Sequence, residues 1–160
     1  MATQPTVGVV TKRFGSGVWK DATGTPISLT LGPGPGDFSF DGAQEGFADT
    51  TAVLNRGVFL ERVKGDDKPL TVTVTLYDVG DATGHSAFDA ILKTGDFASG
   101  VTTDPGGLVW SGTLVFTTTR NSQVNIYTFS YARPMPASYK EATEGNTVSL
   151  SFECFGLAIT

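Results

Sequence analysis

The stretch Leu70-Thr71-Val72-Thr73-Val74-Thr75-Leu76-Tyr77 decides how the rest of the chain is read. Leu70, Val72, Val74 and Leu76 fall on one side of an extended backbone, and Thr71, Thr73, Thr75 and Tyr77 on the other. That period of two marks a strand with one buried face. Val and Thr are β-branched, stiff at χ1, and favour a pleated surface. The same alternation returns near the C-terminus, where Val148, Leu150, Phe152 and Cys154 alternate with Thr147, Ser149, Ser151 and Glu153. Between them, Ser111 to Thr119 and Val124 to Tyr131 read as two more strands, joined by a turn at Asn121-Ser122-Gln123. Arg133-Pro134-Met135-Pro136 cannot continue a central strand, because proline has no amide donor.

Working outward from Leu70, Val58 to Val63 also reads as a strand. The polar link Lys64-Gly65-Asp66-Asp67-Lys68 has the composition of a hairpin turn, and Pro69 suits a strand start. After Tyr77 the period changes. Asp78 to Gly84 is loop-like, and Ala87, Phe88, Ile91 and Leu92 then form one helical stripe. Ser86 is the expected N-cap with Asp89 three residues on, Lys93 lies near the C-terminus, and Gly95 is the expected stop. The spacing predicts one short helix, about residues 86–94. In the first half, Val7 to Phe14, Val18 to Lys20, Ile27 to Leu31 and Phe38 to Phe40 are short strand candidates, broken by Gly32-Pro33-Gly34-Pro35-Gly36. Asp41 to Asn55 offers only Phe47, Val53 and Leu54 as large apolar residues, so no clear element is expected there. The fold class is therefore mainly β, a sandwich or barrel with one short flanking helix in a single domain over residues 1–160.

Composition agrees with this. At 160 residues the chain can bury a core without disulfides, and with 39% hydrophobic and 17% charged residues it reads as globular and soluble. Twenty glycines and 23 threonines suit many strands joined by tight turns. The one cysteine, Cys154, permits no internal disulfide and sits in an apolar alternation, so it reads as core. Met1 to Pro5 carries no basic region leading into an apolar run, so no secretory signal is read there. The apolar runs are too short for a membrane helix. Net charge is −5, and Asp21 to Asn55 holds five acids with no Lys or Arg. Such a chain lacks the basic stripe that grips nucleic-acid phosphates.

Chemistry-bearing constellations are missing. The one histidine, His85, stands beside Ser86 with Asp81 and Asp89 four residues away on either side, but no nucleophile elbow accompanies it. Phe14-Gly15-Ser16-Gly17-Val18 has the wrong spacing for one. His85 reads as an exposed residue at a helix start. One His and one Cys do not make a zinc site. Asp78 with Asp81, or Asp66 with Asp67, are loop carboxylates without EF-hand spacing. The prolines of the Gly-Pro-Gly-Pro-Gly run lack the amides that a phosphate loop aims at its ligand. No catalytic, cofactor-binding or metal-binding residue is assigned.

Three motifs carry a family resemblance. Asn55-Arg56-Gly57, then Glu61 through Pro69, then the Leu70–Tyr77 strand resemble a pattern in tail proteins of long-tailed bacteriophages, where an Arg-Gly step leads through a Gly-Asp-Asp/Glu-x-Pro turn into a strand. Ala132-Arg133-Pro134, and Glu144-Gly145-Asn146 launching the final alternating strand, are similar to the end of tail-tube subunits. The resemblance covers about residues 55–155. It implies a virion structural protein of the tail tube. Six copies would form a ring around a channel, rings would stack, and DNA would pass without specific binding. It further implies self-association, contacts with tape-measure, terminator and baseplate proteins, no cofactor, no membrane, and assembly in the bacterial cytoplasm.

On that reading Asp37, Asp41, Glu61, Asp66 and Asp67 are the acids expected to face the channel, where carboxylates would repel phosphate. Unchanged DNA ejection after charge reversal would contradict this. Phe47, Val53, Leu54, Tyr77, Tyr127 and Tyr131 are expected at subunit contacts. Residues 32–57 are expected to form an extended inter-subunit loop or arm, and a tube that polymerises without Asp41 to Asn55 would refute that. Two rivals remain. One is another virion component, a capsid decoration protein or tail terminator. The other is a carbohydrate-binding β-sandwich using Trp19, Trp110, Tyr127 and Tyr131 as stacking platforms.

Overall fold

A computed structural model of the chain describes residues 15–31, 38–42, 48–77, 84–120 and 123–160. The candidate strand Val7 to Phe14, the Gly-Pro run, Asp78 to Thr83 and the turn at Asn121-Ser122 lie outside the described residues.

The Leu70 alternation is realised as strand β6 (Leu70–Tyr77), and its C-terminal counterpart as β10 (Thr147–Cys154). The two pair antiparallel with Cys154 opposite Leu70, Phe152 opposite Val72, Leu150 opposite Val74 and Val148 opposite Leu76. All eight of those side chains are buried. Their outward neighbours form a hydroxyl-rich face, where Thr75 Oγ1 and Ser149 Oγ lie 3.0 Å apart and Thr73 Oγ1 and Ser151 Oγ 3.5 Å. Register is fixed because a slip of one residue would turn the whole apolar set into water.

The remaining strands are β1 (Gly15–Lys20), β2 (Ser28–Leu31), β3 (Ser39–Asp41), β4 (Ala48–Asn55), β5 (Val58–Asp67), β7 (Gly112–Arg120), β8 (Gln123–Pro134), β9 (Ser138–Lys140) and β11 (Leu157–Ile159). Nine strands form one hydrogen-bonded sheet in the order β2-β1-β7-β8-β10-β6-β3, with β11 also on β8 and β9 also on β10. Strand β8 belongs to two halves. Residues up to Phe129 pair with β7 and β11, and Ala132 pairs with Gly112 of β7 after a register shift, whereas Arg133 and Pro134 pair with Glu153 and Phe152 of β10. The transit between halves passes Tyr131, whose φ of 51° is left-handed. The two halves, here the first sheet (β2-β1-β7-β8-β11) and the second sheet (β3-β6-β10-β9), share one core. Phe38 stacks on Phe116 at 3.8 Å between ring centroids, and Phe40 meets Phe129 edge-on at 5.6 Å. The two ends, β2 and β3, do not pair, so the barrel stays open. The expectation of a sandwich-like, mainly β domain with one helix holds.

The helix α1 runs Ala87–Leu92. Ser86 Oγ accepts the Phe88 amide at 3.1 Å, as the sequence predicts for an N-cap. Its end differs from expectation: Lys93, not Gly95, takes the left-handed cap with φ 55°. The Lys93 ammonium lies 5.0 Å over the Trp110 ring, a contact that favours this otherwise costly conformation. A 3-10 turn (Gly95–Ser99) follows and buries Phe97. Phe97 and Trp110 close on Trp19 at 5.6 and 5.3 Å, joining the helical segment to the first sheet. Trp19 is 1% exposed and donates from Nε1 to the Ala132 carbonyl. Truncating such an indole to alanine costs about 3–5 kcal/mol.

Four sequence expectations are corrected. Arg133 and Pro134 do continue a strand, since β8 runs through Pro134 and pairs there with β10, the proline taking the last position, where its missing amide matters least. Asp41 to Asn55 does hold an element, β4, whose exposure leaves no apolar alternation to read. Lys64 to Lys68 is not a hairpin turn. Strand β5 continues through Asp67 and pairs with β4, not with β6. His85 is not an exposed helix-start residue. Its side chain is 16% exposed, with Nδ1 2.8 Å from the Ser28 carbonyl, Nε2 3.2 Å from Asp96 Oδ2, and the ring packed edge-on against Phe97. An imidazole reads as polar in a sequence, yet its ring carries enough apolar surface to be half-sealed into a junction.

Candidate assembly surface

Strands β4 and β5 form a separate two-stranded ribbon. Arg56 and Gly57 occupy its tip with φ of 49° and 82°, both left-handed, as a two-residue type I′ hairpin turn requires. Gly57 meets that need at no steric cost, while Arg56 pays for it. A bulge at Leu60 then shifts the register, so Leu54 faces Phe59 and Val53 faces Glu61. One face carries Leu54, Phe59, Ala52 and Arg62, with the Arg62 guanidinium 6.0 Å over the Phe59 ring. The other carries Val53, Glu61, Thr51 and Val63.

This ribbon is chemically out of place in water. Leu54, Val58, Phe59, Leu60 and Val63 are 57%, 65%, 55%, 58% and 48% exposed. Every residue of β5 is exposed. Single exposed apolar residues are ordinary, but five on one short ribbon make an exposed apolar patch, a feature common at contact surfaces. A two-stranded hairpin alone is marginally stable, and needs further strands or a packed face. Among the described residues, β4 and β5 pair with no other strand.

The second sheet offers two further unfinished elements. Among the described residues, strand β3 pairs only with β6, and β9 only with β10. All residues of both are exposed. Open edges present unpaired amides and carbonyls to other chains. In the first sheet the edge strand β2 has its Ser28 carbonyl already engaged by His85.

The expected contact and channel residues distribute as follows. Asp37 and Phe47 lie outside the described residues. Val53 and Leu54 are on the ribbon, as are the exposed acids Glu61, Asp66 and Asp67, and Asp67 pairs with Lys64 at 2.9 Å. Asp41 ends β3 and accepts the Gly42 amide at 2.8 Å. Tyr77 is half-buried on the hydroxyl face of β6, and Tyr131 is exposed at the transit between sheets. Tyr127 packs against Phe40 and Phe38 at 6.0 and 6.4 Å, so its ring serves the core. The arm expected over residues 32–57 contains strands β3 and β4, and the projecting unit is the ribbon. The stacking platform proposed for sugars is not assembled. Trp19 is buried, and Trp110 donates to the Ala90 carbonyl at 2.7 Å beneath Lys93.

Sequence reasoning missed one buried charge. Asp21 is 3% exposed at the end of β1. It accepts the Ile27 amide at 2.8 Å, the Val101 amide at 2.9 Å and the Thr23 hydroxyl. Burial pushes its pKa up, but the hydrogen bonds from Thr23, Val101 and Ile27 together outweigh it, and the net shift is below the ordinary carboxylate value. Asp21 thus ties the β1–β2 turn to the loop after the 3-10 turn. Cys154 is fully buried, and burial, aided by the charge of Glu153, pushes its thiol up to about 12. Among the described residues, no group of three or more His, Cys, Asp or Glu is placed to hold a metal, and no helix is long and apolar enough to cross a membrane.

No protein-family model matches the chain, and no curated protein matches it by sequence. Solved structures do match in shape. The sheath/tube terminator of an extracellular contractile injection system, PVC, superposes with a TM-score of 0.58 at 12% identity, covering 96% of this chain and 97% of that one. The sheath–tube complex of the same kind of system gives 0.55 at 11% identity, covering 98% and 93%. The SPP1 tail tube gives 0.50 at 14% identity, covering 91% and 76%. At such identities the likeness is one of architecture, and what it establishes is that this chain has the fold of tube and tube-terminator subunits from phage tails and contractile injection systems.

Proposed function

We propose that this protein is a structural subunit of a phage tail tube, building stacked rings around a channel. One observation carries the reading: a ribbon with five exposed large apolar residues and, among the described residues, no further strand paired with it. Burying such a surface against sister subunits removes apolar area from water and supplies the packing that a lone hairpin lacks. The shared architecture with tube subunits supports the same role. The work of such a protein is assembly, not catalysis. Its partners are further copies of itself and the tape-measure, terminator and baseplate proteins of the tail. DNA passes through the channel without specific contacts, after assembly in the cytoplasm of a bacterial host.

A second reading, a tube terminator, is favoured by the terminator among the structural matches. A terminator makes a single ring that ends a tube, whereas a tube subunit stacks. The test is sedimentation of purified protein at rising concentration, followed by electron microscopy. Stacked rings or tubes support the tube reading, and isolated rings support the terminator. A protein that stays monomeric at every concentration refutes both.

A further inference from the structure

We propose that Asp41 and Gly42 form a self-modifying joint. The Gly42 amide nitrogen attacks the Asp41 side-chain carboxyl carbon, and the ring so formed reopens to an isoaspartyl linkage where the chain leaves β3. The reaction needs water alone, and it stands whatever the protein assembles into.

Asp41 is the one Asp or Asn in the chain that is followed by glycine. Attack on a side-chain carbonyl by the next residue's nitrogen closes a five-membered ring, so both reacting groups already share one short tether. A side chain on the following residue would crowd that nitrogen, and glycine has none. The structure adds position. The Gly42 amide donates to Asp41 Oδ1 at 2.8 Å, so the carboxyl group lies against the nitrogen that would attack it. Gly42 has a φ of 90°, a conformation cheap only for glycine. Asp41 is the last residue of β3, where pairing with β6 ends opposite Thr71, and its exposure admits water. Other aspartates are held differently. The amide after Asp21 is engaged by the Val101 carbonyl at 2.8 Å, Asp96 precedes the buried Phe97, and Asp104 precedes Pro105, whose nitrogen has no hydrogen to give up.

The atoms balance as follows. The Gly42 nitrogen bonds to Asp41 Cγ and loses its proton, the bond from Cγ to its hydroxyl oxygen breaks, and one water leaves. The resulting succinimide ring contains the Gly42 nitrogen and the main-chain carbonyl carbon, Cα, Cβ and Cγ of Asp41. Water then adds to one of the two ring carbonyls. Addition at Cγ restores aspartate. Addition at the main-chain carbon sends the chain through Cβ and Cγ and leaves the former main-chain carbonyl as a free carboxylate. Composition and charge are unchanged, but the backbone is one carbon longer. The joint is too close-packed to absorb this silently, since an added Cβ at Gly42 would lie 3.2 Å from the Pro69 carbonyl oxygen and 3.7 Å from Leu70 Cα. Gly42 leads toward the ribbon and Pro69 returns from it, so a longer backbone displaces one connection against the other. One residue earlier, Phe40 is held by Tyr127 and Phe129. The change therefore falls on the attachment of the ribbon and spares the core.

The experiment ages the full chain in neutral buffer beside a sample held unfolded in guanidinium chloride. Peptide mapping by mass spectrometry follows the transient loss of one water and then the isomer of unchanged mass. A protease that cleaves before aspartate but not before isoaspartate places the change. Isoaspartate should accumulate at position 41 at least as fast in the native protein as in the unfolded one, while Asp66 and Asp96 stay unmodified over the same period. Asp41→Glu keeps the charge but would have to close a larger ring, so it should abolish the signal and leave the thermal melt unchanged. In converted protein, amide exchange should quicken at β3 and the ribbon while β10 stays protected. A native rate well below the unfolded one means that β3 holds the two groups apart, and it overturns the joint. So does a signal that survives Asp41→Glu. Protection lost evenly across the molecule overturns the confinement of the change to the ribbon's attachment.

Discussion

If the ribbon is an interface and not part of the core, damage to it should separate assembly from folding. The informative variant is Phe59→Ser with Leu60→Ser, two neighbours that are 55% and 58% exposed in a single copy. Full burial of a Phe or Leu side chain is worth about 1.5–3 kcal/mol. Somewhat more than half of that remains to be gained at assembly, roughly 1–1.5 kcal/mol for each residue and about 2–3 kcal/mol for the pair. At 1.4 kcal/mol per tenfold, the concentration for half-assembly should rise roughly thirty- to hundredfold. The fold should hardly notice, because substitutions at surface positions away from buried networks change stability by about ±0.5 kcal/mol. Sedimentation velocity over a concentration series reads the first quantity, and chemical denaturation of the dilute protein reads the second. The reasoning is refuted by the opposite split. A loss of several kcal/mol in stability would place these residues in the core, and an unchanged assembly threshold would make the ribbon a bystander.

Three other outcomes follow from the core. Asp21→Asn should lose about 1–3 kcal/mol at pH 7, because a buried acceptor of two amides and a hydroxyl becomes half a donor. Since the folded-state pKa of Asp21 lies below the ordinary carboxylate value of 3.8, the contribution of its charge is complete above about pH 4 and fades as pH falls through the lower folded value. Denaturation at pH 7 and pH 3 should show the gap between the two proteins narrowing in acid. Gly112→Ala should cost about 1–3 kcal/mol, toward the upper end. An added Cβ would sit 2.5 Å from both the Lys20 carbonyl oxygen and the Trp19 ring, whereas at Gly24 it would meet nothing within 4 Å. Gly24→Ala is therefore the neutral control in the same thermal melt. Cys154 should resist maleimide at pH 8 until the protein is unfolded, since its thiol is buried and pushed up to about 12. Rapid labelling of the native protein would contradict its place in the core.

The strands that sequence reading located best are those with one wet and one dry face. Leu70–Tyr77 and Thr147–Cys154 announce themselves because burial imposes the alternation. Strand β4 left no such mark. Ala48–Asn55 belongs to a ribbon exposed on both sides, so nothing forces its residues to alternate. The same cause hid the course of β5, where Gly65, Asp66 and Asp67 have turn composition but lie extended in solvent. The true turn did carry a signal in Asn55-Arg56-Gly57, a glycine at the second central position of a two-residue loop. Asp21 could not have been found by local pattern, because its Val101 partner is 80 positions away. Of the candidate surface, Val53 and Leu54 were singled out in the sequence. Val58, Phe59, Leu60 and Val63, which carry more of its exposed apolar area, were hidden inside a stretch that reads as an ordinary half-buried strand.

These two kinds of strand divide the molecule by how complete it is. The core needs no partner: Trp19, Phe97, Leu114, Phe129, Val72, Leu150 and Cys154 are sealed within one chain, and β8 binds both halves of the sheet into one unit. Its stability is therefore set within one copy. The ribbon is different, because among the described residues its hydrogen bonds serve only two strands and its apolar side chains face water on both sides. Its stability is conditional on neighbours. A protein built this way can fold first and remain a separate subunit while dilute. On the tube reading proposed above, each docked copy would supply the packing that the next ribbon lacks. Growth would then be cooperative, with a slow first contact and faster later ones, and it would require no change in the core.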